Sequence, residues 1–298
     1  MSLSLLVRSR RRPAAVLTAV LVLLALVLAG PTASADSIRQ HRPGFGYLAL
    51  GDSVPFGFRP AQVTPPTDYL DASSFVGYPE LVAARTGLAL ANASCPGETT
   101  ASLIDESERS NGCSNSVGSP FGYRDAFPLH VAYQGSQLDF AVRYLRSHPR
   151  TRLVTLTVGA NDLFICQATT VDRCTGSDFA DAVAEVERNV DTILSTLRER
   201  AHYHHRLVLL DYYSLDYRDP AGTASVRLLD AALARAAQAN SATVADGFAA
   251  FRAGSATAGG DTCAARLIIA LPTGGCDVHP TRRGHRLLAD AVLRAAGH

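Results

Sequence analysis

The sequence predicts an α/β protein: a three-layer, doubly wound domain around a parallel sheet of about five strands. Two patterns carry the prediction. Short β-prone apolar runs recur along the chain, separated by longer segments whose apolar residues have helical spacing. Three of these runs also end in unusual polar turns, the place where open α/β sheets hold their ligands.

The first run, Tyr47 to Leu50, feeds directly into Gly51, Asp52 and Ser53. Glycine permits a sharp turn, so the Ser53 hydroxyl is expected at the sheet edge as a nucleophile. Asp52 and Ser53 equally suit a strand followed by a helix N-cap. Val54 to Gly77 reads as a loop whose Phe56, Phe58, Tyr69 and Phe75 line a groove or pack onto the core. Tyr78 to Thr86 is expected to be a short helix, with Pro79 near its start and Gly87 closing it. Leu88 to Ala91 is the second strand and runs into the polar stretch Asn92 to Thr100, which holds Cys95 and Gly97.

Residues 102–133 show no sustained period and read as loop. Leu138, Val142 and Leu145 predict a helix over 136–147. Arg152 to Val158 is the strongest strand and ends in Gly159, Ala160, Asn161 and Asp162. Phe179, Val183, Val186, Val190, Ile193 and Leu197 mark a long amphipathic helix, with Ser177 or Asp178 placed to cap it. A strand over 206–211, a helix over 226–239 and a last strand over 243–246 follow. Residues 252–278 are glycine-rich, and a terminal helix is expected from Thr281, with Leu287, Leu288, Val292 and Leu293 on its apolar face.

Residues 1–35 read as a signal peptide. Arg8, Arg10, Arg11 and Arg12 precede an apolar run from Ala14 to Ala29, and Ala33, Ser34 and Ala35 suit a cleavage site. Residues 36–298 are then a single exported domain. The apolar run falls short of the ~20 residues that span a bilayer, and no cysteine follows it to carry a lipid, so no stable membrane anchor is expected. Without the leader's four arginines, the 28 basic residues fall to 24 against 27 acidic ones. Such a balance points to neither nucleic acid nor an anionic surface as partner, and a monomer is expected. Lysine is absent, which excludes a Schiff base or a Ser–Lys pair.

Six cysteines in an exported chain predict three disulfides. Six allow 15 connectivities, of which the local one pairs Cys95 with Cys113, Cys166 with Cys174 and Cys263 with Cys276. No pair has the two-residue spacing of a zinc knuckle. His202, His204 and His205 lie between a helix end and a strand and read as solvated loop residues, His285 reads as structural, and His130 is ambiguous. No metal and no other cofactor is expected. Gly44 to Ala49 superficially matches a dinucleotide fingerprint but precedes its strand, and Gly-x-Ser-x-Gly, HExxH and P-loop motifs do not occur.

Serine acyl transfer needs a nucleophile, a base for its proton and donors for the oxyanion. Ser53, His279, the backbone N–H groups of Ser53 and Gly97, and the Asn161 side-chain amide fill these roles if the strand ends share one edge. The sequence resembles the secreted, actinobacterial type of the GDSL-like lipases and esterases, the SGNH hydrolases. The residues that carry the resemblance are Gly51-Asp52-Ser53, Asn92 through Gly97, Gly159-Ala160-Asn161-Asp162 and Asp277-Val278-His279-Pro280, in the family's order.

The resemblance implies a flavodoxin-like, SGNH-hydrolase type of three-layer fold. It also implies hydrolysis of lipid, phospholipid or short acyl esters through an acyl-serine intermediate. A carbohydrate deacetylase and a non-catalytic binding domain are the alternatives. Two positions depart from the family's pattern. Val54 stands where the family has Leu, and Cys276 stands where it has its acid, three residues before the histidine. Either Asp277, only two before it, or a main-chain carbonyl at or near Cys276 is therefore expected to orient His279.

Overall fold

The computed structural model describes residues 44–297, so the proposed leader lies outside the described residues. Strand β1 (Gly46–Gly51) is an interior strand of the main sheet, and Tyr47, Leu48, Ala49 and Leu50 are all fully buried. Burial on both faces explains why this strand reads as an unbroken apolar run instead of an alternation. After a one-turn helix α1 (Ser53–Phe56) and a long loop, α2 (Tyr78–Thr86) leads to β2 (Ala89–Asn92). The short helices α3 (Thr100–Ile104) and α4 (Tyr123–Ala126) interrupt the next loop before α5 (Gln137–Ser147) and β3 (Thr151–Thr157).

Then come α6 (Ala160–Thr169), α7 (Gly176–Glu199), β4 (Arg206–Leu210), α8 (Pro220–Ala239) and β5 (Thr243–Ala245). The chain continues through α9 (Gly247–Ser255), the strands β6 (Ile268–Ala270) and β7 (Cys276–Pro280), and α10 (Arg282–Ala295).

The main sheet is five-stranded, parallel throughout and ordered β2-β1-β3-β4-β5. Helices α2, α9 and α10 pack together on one side, and α5, α7 and α8 on the other. This is the doubly wound, three-layer arrangement expected from the sequence. The strand order reverses between β1 and β3, so a crevice opens at their carboxyl ends. Two hydroxyl pairs tie the core together, Tyr47 with Thr155 at 2.8 Å and Tyr78 with Thr157 at 2.9 Å.

Several elements differ from the sequence reading. Helix α8 starts six residues early because Asp219 caps it, accepting from the Ala221 N–H at 3.0 Å, and Pro220 fits the first turn. Neither Ser177 nor Asp178 caps α7. The chain enters that helix through Arg173, Cys174 and Gly176, all at positive φ, inside a turn closed by the Cys166–Cys174 disulfide. Helices α6 and α9 and the antiparallel pair β6–β7 had no clear sequence period; α6 buries only Asn161 along its length. No helix among the described residues is long and apolar enough to cross a membrane.

Candidate active site

At the end of β1 the backbone of Gly51 has φ +128°, and a Cβ there would lie 1.9 Å from the Thr157 carbonyl oxygen on β3. Only glycine lets the two strands approach so closely while the chain turns outward. Asp52 caps α1 by accepting from the Val54 N–H at 2.9 Å, and its other oxygen accepts from the Tyr212 hydroxyl at 2.5 Å. The capping role thus falls to Asp52 and leaves the Ser53 hydroxyl out of the cap. Burial pushes the Asp52 carboxyl up to about 6 despite the Tyr212 and Val54 hydrogen bonds, which pull it down.

Ser53 Oγ lies 2.9 Å from His279 Nε2. His279 sits on β7, the second strand of the short hairpin, stapled by the Cys263–Cys276 disulfide. Its Nδ1 faces Asp277 Oδ1, so the acceptor at that nitrogen is a carboxylate. The same oxygen accepts from the His279 backbone N–H at 2.9 Å. This local turn, in which Asp folds back on the backbone two residues on, is what makes a two-residue spacing sufficient. Burial raises the Asp277 carboxyl, but its hydrogen bonds and charge interaction with His279 outweigh this and hold it below the ordinary value. Phe58 packs against the imidazole with ring centroids 4.9 Å apart.

Gly97, after β2, has φ +85°, and a Cβ there would lie 2.5 Å from the Asn111 carbonyl oxygen. Its own carbonyl accepts from the Asn111 N–H at 2.7 Å. The Cys95–Cys113 disulfide ties the two loops together. Asn161, at the start of α6 after β3, is buried. Its Nδ2 donates to the Glu98 carbonyl at 3.0 Å, and its Oδ1 accepts from Asn111 Nδ2 at 2.9 Å.

Ser53, Gly97, Asn161 and His279 line one cavity of about 710 Å³. Leu163, Phe164, Phe179, Val226 and Leu229, from α6, α7 and α8, give it an apolar wall. A second concavity, about 1070 Å³, lies at the opposite, amino-terminal edge of the sheet between Phe45, Arg152 and His205, away from these groups. The His202, His204 and His205 trio forms no ligand cluster among the described residues. The grouping within ligand reach is Cys95, Glu98 and Cys113, and its two sulfurs are joined in a disulfide.

His285 is buried on α10, its ring pushed down to about 3 by burial and by the nearby His279. The His130 Nε2 lies 3.0 Å from the Phe56 carbonyl oxygen.

Three site residues escaped the sequence reading: Tyr212, Gln137 and Asn111. Tyr212 lies two residues past the end of β4 and could have been found by the strand-end rule that singled out Ser53, Gly97 and Asn161. Gln137 and Asn111 carry no such mark, since both touch the site through long-range contacts.

A hydroxyl in reach of an imidazole, itself held by a carboxylate, has the geometry of nucleophilic acyl transfer. Fold and site together define the class, the carboxylic ester hydrolases. Within that class, the sequence over residues 49–287 matches the GDSL-like Lipase/Acylhydrolase family, and the chain belongs to it. Solved structures share the fold. Phospholipase A1 from Streptomyces albidoflavus NA297 is 21% identical with a TM-score of 0.53, covering 85% of this chain and 100% of its own. The lipase Lip_vut3 from a goat rumen metagenome is 18% identical with a TM-score of 0.52, covering 85% and 97%. A catalytic mutant of the acetylxylan esterase Axe2 from Geobacillus stearothermophilus is 16% identical with a TM-score of 0.53, covering 86% and 95%. No curated protein matches the sequence.

Proposed function

We propose that this chain is a secreted serine esterase of the lipase type, which hydrolyses carboxylic esters through an acyl-serine intermediate. The observation that carries the reading is the 2.9 Å contact of Ser53 Oγ with His279 Nε2 at an apolar-walled cavity. His279 Nε2 takes the Ser53 proton as Oγ attacks the ester carbonyl. The oxyanion is held by the Ser53 and Gly97 N–H groups and the Asn161 amide. His279 then returns the proton to the leaving alcohol, and water releases the acid by the same path. Asp277 holds Nδ1 and stabilises the imidazolium that forms between these steps.

The wall of Leu163, Phe164, Phe179, Val226 and Leu229 favours a lipid or other acyl ester over a bare acetate as substrate. Three disulfides and no free cysteine among the described residues support export of a single domain over 36–298, since such bridges persist in oxidising compartments.

A serine-reactive phosphonate is expected to label wild-type protein and not Ser53→Ala; a folded wild type that resists labelling would sink the reading. Turnover of aryl esters of increasing chain length is expected to exceed turnover of acetylated sugars. The reverse order would make the chain a carbohydrate deacetylase.

A further inference from the structure

Asn111 comes from a loop that carries none of the four sequence blocks, yet it touches two of the three residues proposed to supply oxyanion donors, Gly97 and Asn161. Its side-chain Nδ2 donates to Asn161 Oδ1 at 2.9 Å, and its backbone N–H donates to the Gly97 carbonyl at 2.7 Å. We infer that Asn111 is a positioning residue that sets the Asn161 amide, and with it the oxyanion site, in its donating orientation. The inference rests on the proposed role of Asn161 and goes one step behind it.

A primary amide has one accepting end and one donating end, and only the donating end stabilises an oxyanion. Asn161 is buried, so each end must find a partner. Asn111 Nδ2 occupies the Oδ1 end. The Glu98 carbonyl takes one of the two Nδ2 hydrogens, and the second is left for the substrate. If the amide turned over, its oxygen would face the Glu98 carbonyl oxygen and its nitrogen the Asn111 nitrogen. Two like contacts would replace two hydrogen bonds.

Asn111 is itself built in. The neighbouring Gly112 N–H donates to the Asn115 carbonyl at 2.8 Å, the Tyr123 N–H donates to the Gly112 carbonyl at 2.6 Å, and Cys113 is bridged to Cys95 beside Gly97. The loop that holds Gly97 in place therefore also holds Asn161 in orientation.

The test is a double-mutant cycle on a short-chain aryl ester, with Asn111→Ala, Asn161→Ala and the double variant, and with Asn111→Asp as an isosteric second probe. Asn111→Asp keeps the shape and replaces the donor with an acceptor, so it separates the hydrogen bond from packing. Both Asn111 variants are expected to lose roughly 10- to 100-fold in kcat with KM nearly unchanged. In the Asn161→Ala background, Asn111→Ala is expected to cost nothing further.

Losses that multiply in the double variant, or a rise in KM alone, would overturn the inference, the latter by making Asn111 a substrate contact. A normal kcat in Asn111→Asp together with a depressed one in Asn161→Ala would refute the role of Asn111 and leave the oxyanion reading intact. A normal kcat in Asn161→Ala would remove both. Should Asn111→Ala fail to fold, Asn111→Asp alone still decides.

Discussion

Gln137 clamps the backbone of Gly51 at two points. Its Oε1 accepts from the Gly51 N–H at 2.5 Å, and its Nε2 donates to the Gly51 carbonyl at 3.1 Å. The same Nε2 donates to Glu98 Oε2 at 2.9 Å. One side chain from α5 thus joins the turn that carries Ser53 to the loop that carries Gly97. Gln137→Leu would strand the buried Gly51 N–H, at a cost of about 1–3 kcal/mol. Urea denaturation is expected to show that loss, and kcat is expected to fall roughly 10-fold as the Ser53 turn loosens. Unchanged stability with unchanged kcat would reduce the clamp to an incidental contact.

Asp277 faces the nitrogen of His279 that Ser53 does not. Asp277→Asn keeps an oxygen for the His279 backbone N–H but removes the charge that stabilises an imidazolium. A fall in kcat of about 10³- to 10⁴-fold is expected, with KM little changed, by analogy with the serine-protease case. A fall of only a few-fold would hand the orienting role to a main-chain carbonyl.

Stability is expected to fall as pH rises from about 4 to 8. Burial pushes Asp52 up to about 6, Glu98, Asp162 and Asp211 to about 7, and Asp230 to about 8, the last helped by the charge of Asp211. Each of these carboxyls holds its proton more tightly in the folded than in the unfolded chain. The native state therefore binds more protons across this window, and the stabilisation is lost as pH passes each folded value. His285, pushed down to about 3, acts in the opposite sense and costs stability as pH falls below the ordinary histidine value of 6.5. One histidine does not offset five carboxyls. Asp230 Oδ2 is buried without a partner, while Oδ1 accepts from the Tyr212 N–H at 2.9 Å. Asp230→Asn is therefore expected to stabilise the protein by an amount that grows between pH 5 and about pH 8.5. Melting temperatures that shift equally at both pH values would contradict this.

The Cys263–Cys276 bridge closes the hairpin three residues before His279. Replacing both cysteines with serine is expected to cost about 3 kcal/mol by the loop-closure relation. Activity is also expected to drop at temperatures where the variant remains folded, because β7 positions His279 from a two-stranded sheet with little support of its own. Full activity in the folded variant would show that α10 and the Asp277 turn suffice.

The sheet and the order of the four blocks are legible in the amino-acid sequence. Both are local properties: buried parallel strands read as apolar runs, and the residues that follow them project at the sheet's carboxyl edge. Which group faces His279 Nδ1 is open in the sequence because the spacing departs from the family's pattern; in the fold a local backbone turn brings the Asp277 carboxylate there. How these blocks are held together emerges only once the chain is folded. Gln137 reaches Gly51 across 86 residues, Asn111 reaches Asn161 across 50, and Tyr212 reaches Asp52 across 160. Hydrogen bonds of this kind depend on two loops meeting at one distance and angle. Neither partner carries a period or motif that announces the other.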